Sequence, residues 1–261
     1  MSDPFAHVAG LPEVREAVSE ARESVDRLLG HRILRRQSAE VSAESALRGA
    51  RASAALEGVS APLEEVRSAL VNDPFVLGAL RVSEAIGSLA AVWRNAPRQA
   101  LARLHAFAAS DGADADDLGR PRSGSTARDP LSLGPAPSPA TVTARLSSLS
   151  DLLTVPTSAP ALVVAAVTQG ELLALRPFGW GDGLVARAAV RLTLVDRGFD
   201  PKSLVAPEVG HVELGSAYRS AILAYMSGTQ EGVVQWVRHC AEATALGARD
   251  TLAVCESFTR R

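Results

Sequence analysis

A glycine-punctuated segment carries the residues of this chain whose types and spacing are best suited to chemistry. It reads RPFGWGDGLVAR from Arg176 to Arg187, and we call it the glycine loop. Gly181 and Gly183 allow the backbone to turn tightly and to approach a ligand closely. The apolar helical segment that follows would present unpaired N–H groups and the positive end of its dipole, which attract anions. The glycine loop therefore predicts an anion site.

The elements that must position this loop are helical by pattern. In residues 14–29, apolar residues recur every three or four positions, as on one face of an amphipathic helix. The members of this face are Val14, Val18, Ala21, Val25 and Leu28. Similar patterns predict helices at 42–56, 76–93, 96–109, 141–153, 159–175 and 184–197, and two or three more within 215–252. No segment alternates as a strand would, so the fold class is all-α.

Residues 110–139 interrupt the helical pattern. The stretch is rich in Asp, Gly, Ser and Pro and poor in bulky apolar residues. It is longer than an ordinary connection between elements. Two interpretations stay open at this point, a mobile functional loop and a linker.

Composition limits the function classes. The 261 residues are 47% hydrophobic and 21% charged, with a net charge of −2, which is typical of a globular protein and gives no sign of nucleic-acid binding. The apolar run at 161–167 is too short for a bilayer, which needs ~20 residues, and no signal peptide is visible. Two cysteines form neither a disulfide framework nor a metal cluster. We expect a cytoplasmic protein with no nucleic-acid or membrane partner.

The glycine loop resembles the signature of the Fic family, whose members mostly transfer AMP to protein hydroxyl groups. That signature is His-x-Phe-x-(Asp/Glu)-Gly-Asn-Gly-Arg-x-x-Arg, and the chain matches it at Phe178, Gly181, Gly183 and Arg187. The resemblance implies an all-α, Fic-like helical core. It also allows a short β-hairpin flap ahead of the proline-rich segment, although residues 118–124 have little strand propensity.

A second Fic motif, (Ser/Thr)-x-x-x-Glu-(Gly/Asn), is matched upstream by Ser53, Glu57 and Gly58. In the family this motif belongs to an inhibitory helix, whose glutamate pairs with the last signature arginine and obstructs the γ-phosphate of ATP. The resemblance thus implies a pair between Glu57 and Arg187. The alternative is that Glu57 is a solvated residue at a helix C-terminus. We divide the chain into two regions. Residues 1–95 form an N-terminal region that carries this motif, and residues 96–261 form a Fic-like core that includes the loop 110–139.

The departures from the family pattern lie at the chemical positions. Arg176 stands where the family has its histidine base, and a guanidinium stays protonated and cannot accept a proton. Trp180 replaces the acidic residue that would hold Mg²⁺ and has no oxygen ligand. Leu184 replaces the first signature arginine, a phosphate contact. No residue is therefore assigned a catalytic role, no metal ligand is assigned, and Mg²⁺ is disfavoured.

The remaining polar positions suit binding better than catalysis. Asp182, which replaces the signature asparagine, either binds a cation or caps the following helix, and capping is the favoured interpretation. Arg176 is a candidate clamp for phosphate or carboxylate. The predicted anion or nucleotide site consists of Arg176, Gly181, Asp182, Gly183 and Arg187, with Phe178 and Trp180 as packing residues of the loop.

Three histidines were weighed as substitutes for the missing base. His105 falls at the end of a predicted helix and is interpreted as a packed or capping residue. His211 follows Gly210 and is interpreted as a loop residue. The sequence places neither of them, nor His239, beside the glycine loop.

Three function hypotheses follow from these residues. The first is a degenerate Fic protein that binds a nucleotide, a phosphorylated ligand or a protein partner through the remnant cleft, without efficient AMP transfer. The second is a transferase with altered chemistry that needs no histidine base. The third is a structural interaction module whose cleft is closed. ATP or another nucleotide is compatible with the first two, and no cofactor is assigned with certainty.

Overall fold

The computed structural model describes residues 3–259 as an all-α structure. This range is 72% helical and contains no strand, so the predicted fold class is confirmed. The helices are α1 (Pro4–Ala9), α2 (Pro12–Leu29), α3 (Ser38–Leu56), α4 (Leu63–Arg67), α5 (Pro74–Asn95), α6 (Pro97–Ala109), α7 (Pro139–Thr154), α8 (Ala161–Leu175), α9 (Asp182–Asp196), α10 (Pro207–Glu213), α11 (Ser216–Met226) and α12 (Gln230–Thr259). Two short 3₁₀ turns, at Arg32–Arg35 and Ala115–Asp117, join them.

Amphipathic spacing decides which faces of the outer helices are buried. The apolar face predicted for α2 is buried as a whole and packs against α12. Helix α5 begins with Pro74 after the N-cap Asp73, whose carboxylate accepts hydrogen bonds from the amides of Phe75 and Val76. Proline at the first position and an acceptor at the N-cap are the usual start of a helix.

Helices α8 and α9 form the central antiparallel pair, and the glycine loop joins them. Both are buried on nearly all sides, as expected for helices that are apolar around their whole circumference. Helix α5 packs on α9, and α12 packs on α8. The glycine loop is therefore held between two fixed helix ends.

Helix α3 brings the upstream motif to this centre. It packs against α5 and α10, and its C-terminal half contacts α9. Gly58 follows with φ +94°, a conformation that favours glycine. The buried apolar residues of 1–95 and of 96–261 form one continuous core, and the division at residue 95 stays a prediction.

Residues 110–139 fold over the glycine loop. The Arg122 amide donates to the Pro177 carbonyl (2.8 Å), and the Arg128 amide donates to the Gly179 carbonyl (2.9 Å). The linker interpretation is therefore wrong, because this segment is hydrogen-bonded along the site. The β-hairpin that the resemblance allowed does not form here within the described residues, since the segment is rich in Gly, Ser and Pro and bonds to the glycine loop instead.

Helix α5 is the described helix that is long and apolar enough to cross a membrane by length and composition. The most apolar window of α5 is 44% buried inside the protein, and the helix packs against α3, α6 and α9. Core helices of globular proteins meet the same criterion, and the apolar residues of α5 that face α3, α6 and α9 belong to the core.

Candidate anion site

The backbone of the glycine loop adopts left-handed conformations at its turning points. Arg176 ends α8 with φ +46°, and Gly181 stands at the N-cap of α9 with φ +65°. Glycine adopts such a φ without the steric cost that a side chain adds. Arg176 bears that cost, of the order of 1–2 kcal/mol, and its side-chain contacts offset it.

Arg187 on α9 is hydrogen-bonded to both polar residues of the upstream motif, Ser53 and Glu57. Its Nη2 lies 2.7 Å from Oε1 of Glu57, and both side chains are 2% exposed. Its Nε donates to the Ser53 hydroxyl (2.8 Å), and its Nη2 donates to the Ser53 carbonyl (2.9 Å). Burial lowers the pKa of Arg187, whereas the adjacent Glu57 carboxylate raises it, and the net direction is upward. The expected contact between Glu57 and Arg187 is therefore present.

Gly183 lies in α9 directly against the ion pair between Glu57 and Arg187. A Cβ atom there would overlap the Glu57 carboxylate and come within 2.8 Å of Nη1 of Arg187. Any larger residue would push the carboxylate away. Gly183 thus makes room for Glu57 in the space where the sequence predicted an anion.

The cavity enclosed by these groups is small. It has a volume of ≈ 20 Å³ and is lined by Glu57, Arg187, Arg176, Gly183 and parts of the 128–133 segment. A water molecule needs roughly 10–15 Å³ on this scale, so the cavity holds about one. A nucleotide does not fit the arrangement as it stands.

Arg176 joins the end of α8 to the segment that contains Asp129 and Gly134. It is 4% exposed, its Nη2 donates to the Gly134 carbonyl (2.8 Å) and its Nη1 lies 3.4 Å from Oδ2 of Asp129. The Asp129 carboxylate also accepts the amides of Leu133 and Gly134. Arg176 therefore clamps a carboxylate, as its chemistry allowed, but that carboxylate belongs to the chain itself.

The interpretation of Asp182 as a helix cap is wrong. It is the first residue of α9, the N-cap being Gly181, and its carboxylate accepts the amides of Phe178 and Gly179, both at 2.8 Å. These amides precede it in the chain, so Asp182 braces the loop and does not cap the helix. Burial raises its pKa to about 7, against the lowering effect of the two amides.

Magnesium does not fit the donor set of this loop. The acidic position of the signature is Trp180, and the carboxylate of Asp182 is buried and already bonded to two amides. Among residues 3–259, no three His, Cys, Asp or Glu side chains are grouped so as to hold a metal ion. We derive no chemistry through a metal here.

Trp180 occupies an aromatic stack at the edge of the loop. Its ring lies 4.3 Å from that of Phe75, nearly parallel at 7°. The Arg128 guanidinium lies 4.8 Å from the centre of the Phe75 ring. A Cβ at Gly112 would overlap the indole, so Gly112 is the surface on which Trp180 rests. Trp180 thus has a packing role.

Comparison with known proteins decides the fold. No family sequence model and no curated protein sequence matches the chain. A Fic family protein from Desulfovibrio desulfuricans matches in structure with a TM-score of 0.76 at 20% identity, over 94% of this chain and 75% of that one. The chain has the Fic fold.

Two further solved structures agree. Fic-1 from C. elegans matches with a TM-score of 0.70 at 17% identity, over 94% of this chain and 73% of that chain. A Fic-domain-containing signaling protein from Bacteroides thetaiotaomicron matches with a TM-score of 0.62 at 14% identity, over 92% of this chain and 98% of that chain. These TM-scores show that the Fic fold is shared, and identities this low do not by themselves transfer an activity.

His105 of this Fic-fold chain lies beside the glycine loop, a position that the sequence left open. The His105 ring stacks on Phe178 with ring centres 4.2 Å apart, and its Nδ1 accepts the amide of Gly119 (2.9 Å). Burial lowers its pKa to about 4. The packed interpretation of His105 is therefore correct, and its ring holds Phe178 in the loop.

His211 also departs from its sequence interpretation, because it lies buried in α10 and not in a loop. Its Nδ1 lies 3.0 Å from Nε2 of His239, and its Nε2 lies 3.1 Å from Nε2 of Gln169. Gln169 also donates to the Tyr218 hydroxyl (3.3 Å), which interacts with Arg187. A buried polar network thus reaches from His239 through Gln169 and Tyr218 to Arg187.

Arg122 is a structural contact of the glycine loop that the sequence did not predict. Its guanidinium donates to the carbonyls of Arg176 (2.9 Å), Gly124 (2.6 Å) and Pro137 (2.6 Å). One side chain therefore joins the 110–139 segment to the end of α8. No local pattern distinguishes it, because its partners are backbone carbonyls and carry no residue preference.

Proposed function

We propose that this cytoplasmic Fic-fold protein acts by binding and not by efficient AMP transfer. Its anion site at Arg187 is closed by Glu57 at rest and takes a phosphate-bearing ligand, a nucleotide or another phosphorylated small molecule, when Glu57 is displaced. The observation that carries the proposal is the engagement of Nε and Nη2 of Arg187 by Ser53 and Glu57.

The case against transfer rests on the groups at the chemical positions. Arg176 cannot accept a proton and is buried in contacts with Gly134 and Asp129. Losing a positioned base typically costs about 10²–10⁴-fold in rate. Trp180 supplies no metal ligand and is stacked on Phe75.

The case for anion binding rests on what already occupies the site. The Glu57 carboxylate is itself an anion, held by the Arg187 guanidinium beside Gly183. Arginine binds phosphate and carboxylate through the same planar donor geometry. A phosphate group can therefore exchange for the carboxylate once the C-terminal end of α3 moves.

Labelled ATP tests transfer, and thermal shift with ATP, ADP and other nucleotides tests binding. We expect no self-labelling in the wild type or in Glu57→Gly. We expect a nucleotide-dependent rise in Tm in Glu57→Gly that disappears in Glu57→Gly with Arg187→Ala. Robust self-labelling that is lost in Arg187→Ala would contradict the proposal and favour a transferase with altered chemistry.

A structural interaction module is the second candidate function. It is favoured by the ≈ 20 Å³ cavity and by the tether between Arg176 and Gly134, which together close the site from two sides. A Glu57→Gly protein that remains folded and gains no nucleotide-dependent Tm shift would favour this candidate.

A further inference from the structure

An apolar groove opens at the end of the α8–α9 pair that lies farthest from the glycine loop. Its volume is ≈ 440 Å³, within the range of small-molecule sites. It shares no lining residue with the cavity at Arg187. Its apolar walls come from Ala9, Val14, Val18, Pro160, Ala161, Val163 and Phe199.

The charged residues that line this groove have one sign. Arg15, Arg22 and Arg197 line it together with the apolar residues, and no carboxylate does so within the described residues. Arg22 lies 2.6 Å from Asp26 and over the Phe199 ring at 5.1 Å. In the part of the chain that the structure describes, Arg15 and Arg197 have no acidic partner within salt-bridge distance. Two guanidinium groups thus flank an apolar surface with their donors free.

The N-terminal end of α8 adds to this positive field. The helix begins at Ala161 after Pro160, with no side-chain cap and no acidic residue in its first turn. Both of these residues line the groove. The positive end of the α8 dipole therefore faces the same region as the arginines.

We propose that this groove is a binding site for a small amphipathic anion, a molecule with an apolar chain and one carboxylate. The apolar chain of the ligand would lie against Val18, Pro160 and Phe199, and its carboxylate would pair with Arg15 and Arg197. The arginines flank the apolar walls, which is the arrangement that such a molecule needs. The site is independent of the function proposed for Arg187.

Decanoate is the probe, titrated into the full chain by calorimetry below its micelle-forming concentration. Decanol and decyltrimethylammonium carry the same chain with a neutral and a positive head group. We expect decanoate to bind most tightly and the cation most weakly. Equal binding of all three, or no binding of decanoate, overturns the proposal.

Two substitutions locate the site. Arg15→Gln with Arg197→Gln should weaken decanoate about tenfold, the equivalent of about 1.4 kcal/mol, and leave decanol unchanged. Arg27→Gln with Arg238→Gln, which also removes two arginines but outside the groove, is the matched control and should weaken neither. An equal effect of this control would show that only net charge matters, and it would overturn the proposal.

A variant whose new side chain fills the groove tests the apolar part of the proposed site. Ser19 is exposed and lines the groove, so Ser19→Trp should fill it without disturbing the core and abolish binding of both decanoate and decanol. Ser24→Trp, on another face of α2, should leave binding intact. Unchanged binding in a folded Ser19→Trp protein would place the ligand elsewhere and contradict the proposal.

Discussion

Oε1 of Glu57 and Nη2 of Arg187 lie 2.7 Å apart in the protein interior, although 130 residues separate them in the chain. Glu57 stands at the C-cap of α3, where the negative end of the helix dipole disfavours a carboxylate. Arg187 compensates that charge and also donates to the Ser53 carbonyl in the last turn of α3. The pair therefore fixes the end of α3 against α9.

Removing the Glu57 carboxylate should leave the buried charge of Arg187 uncompensated. Glu57→Ala is expected to reduce the free energy of unfolding by about 3–5 kcal/mol, measured by urea denaturation. Glu57→Ala with Arg187→Met should recover part of that loss because no buried charge then remains. Arg94→Met removes an ion pair with Asp196 whose arginine is 66% exposed, and it should cost under about 1 kcal/mol.

Gly183→Ala should displace Glu57 without changing any charge. The added methyl overlaps the carboxylate, and overpacking of this kind costs about 1–3 kcal/mol. Gly124→Ala is the control, since its Cβ would meet nothing within 4 Å. The coupling energy between Glu57 and Arg187, from a double-mutant cycle, should fall in the Gly183→Ala background. An unchanged coupling would show that the carboxylate keeps its place.

Arg176→Gln should loosen the 128–134 segment. The substitution removes the guanidinium contacts with the Gly134 carbonyl and the Asp129 carboxylate, and charge-assisted bonds of this kind contribute about 1.5–3 kcal/mol. Hydrogen exchange at the Leu133 and Gly134 amides should accelerate. Arg98→Gln, at an exposed position on α6, should leave these amides unaffected.

Acid should destabilise the protein through its buried histidines. Burial lowers the pKa of His105 to about 4, from 6.5 for an ordinary histidine. Between these values the unfolded chain binds the proton and the folded chain does not, so stability falls as the pH drops from about 6.5 to 4. The loss assigned to His105 is about 3 kcal/mol.

The effect of His105 can be isolated with His105→Gln, which keeps an acceptor for the Gly119 amide. The difference in unfolding free energy between the wild type and this variant should shrink from pH 7.5 to pH 4.5, as measured by urea denaturation. Asp182 acts in the opposite sense, since its pKa is raised to about 7, and the comparison of two proteins that both contain Asp182 cancels its contribution. A difference that stays constant with pH would contradict the lowered pKa of His105.

The sequence alone predicted the longer helices and the glycine loop, but not the short helices α1 and α10. Helical periodicity is a local property, so the buried face of α2 could be predicted residue by residue. The contact between Glu57 and Arg187 was also predictable, but only because two motifs resemble those of one family. Their local chemistry alone left Glu57 free to be a solvated helix end.

Only the tertiary structure decided what the polar groups of the site do. Asp182 turned back to the amides of Phe178 and Gly179, and Arg176 found its partners 42 and 47 residues away in the chain, at Gly134 and Asp129. Such contacts depend on how distant segments meet, and a carboxylate or guanidinium fits several partners equally well. The sequence pattern therefore located the glycine loop, while packing placed the Glu57 carboxylate against Arg187 beside it.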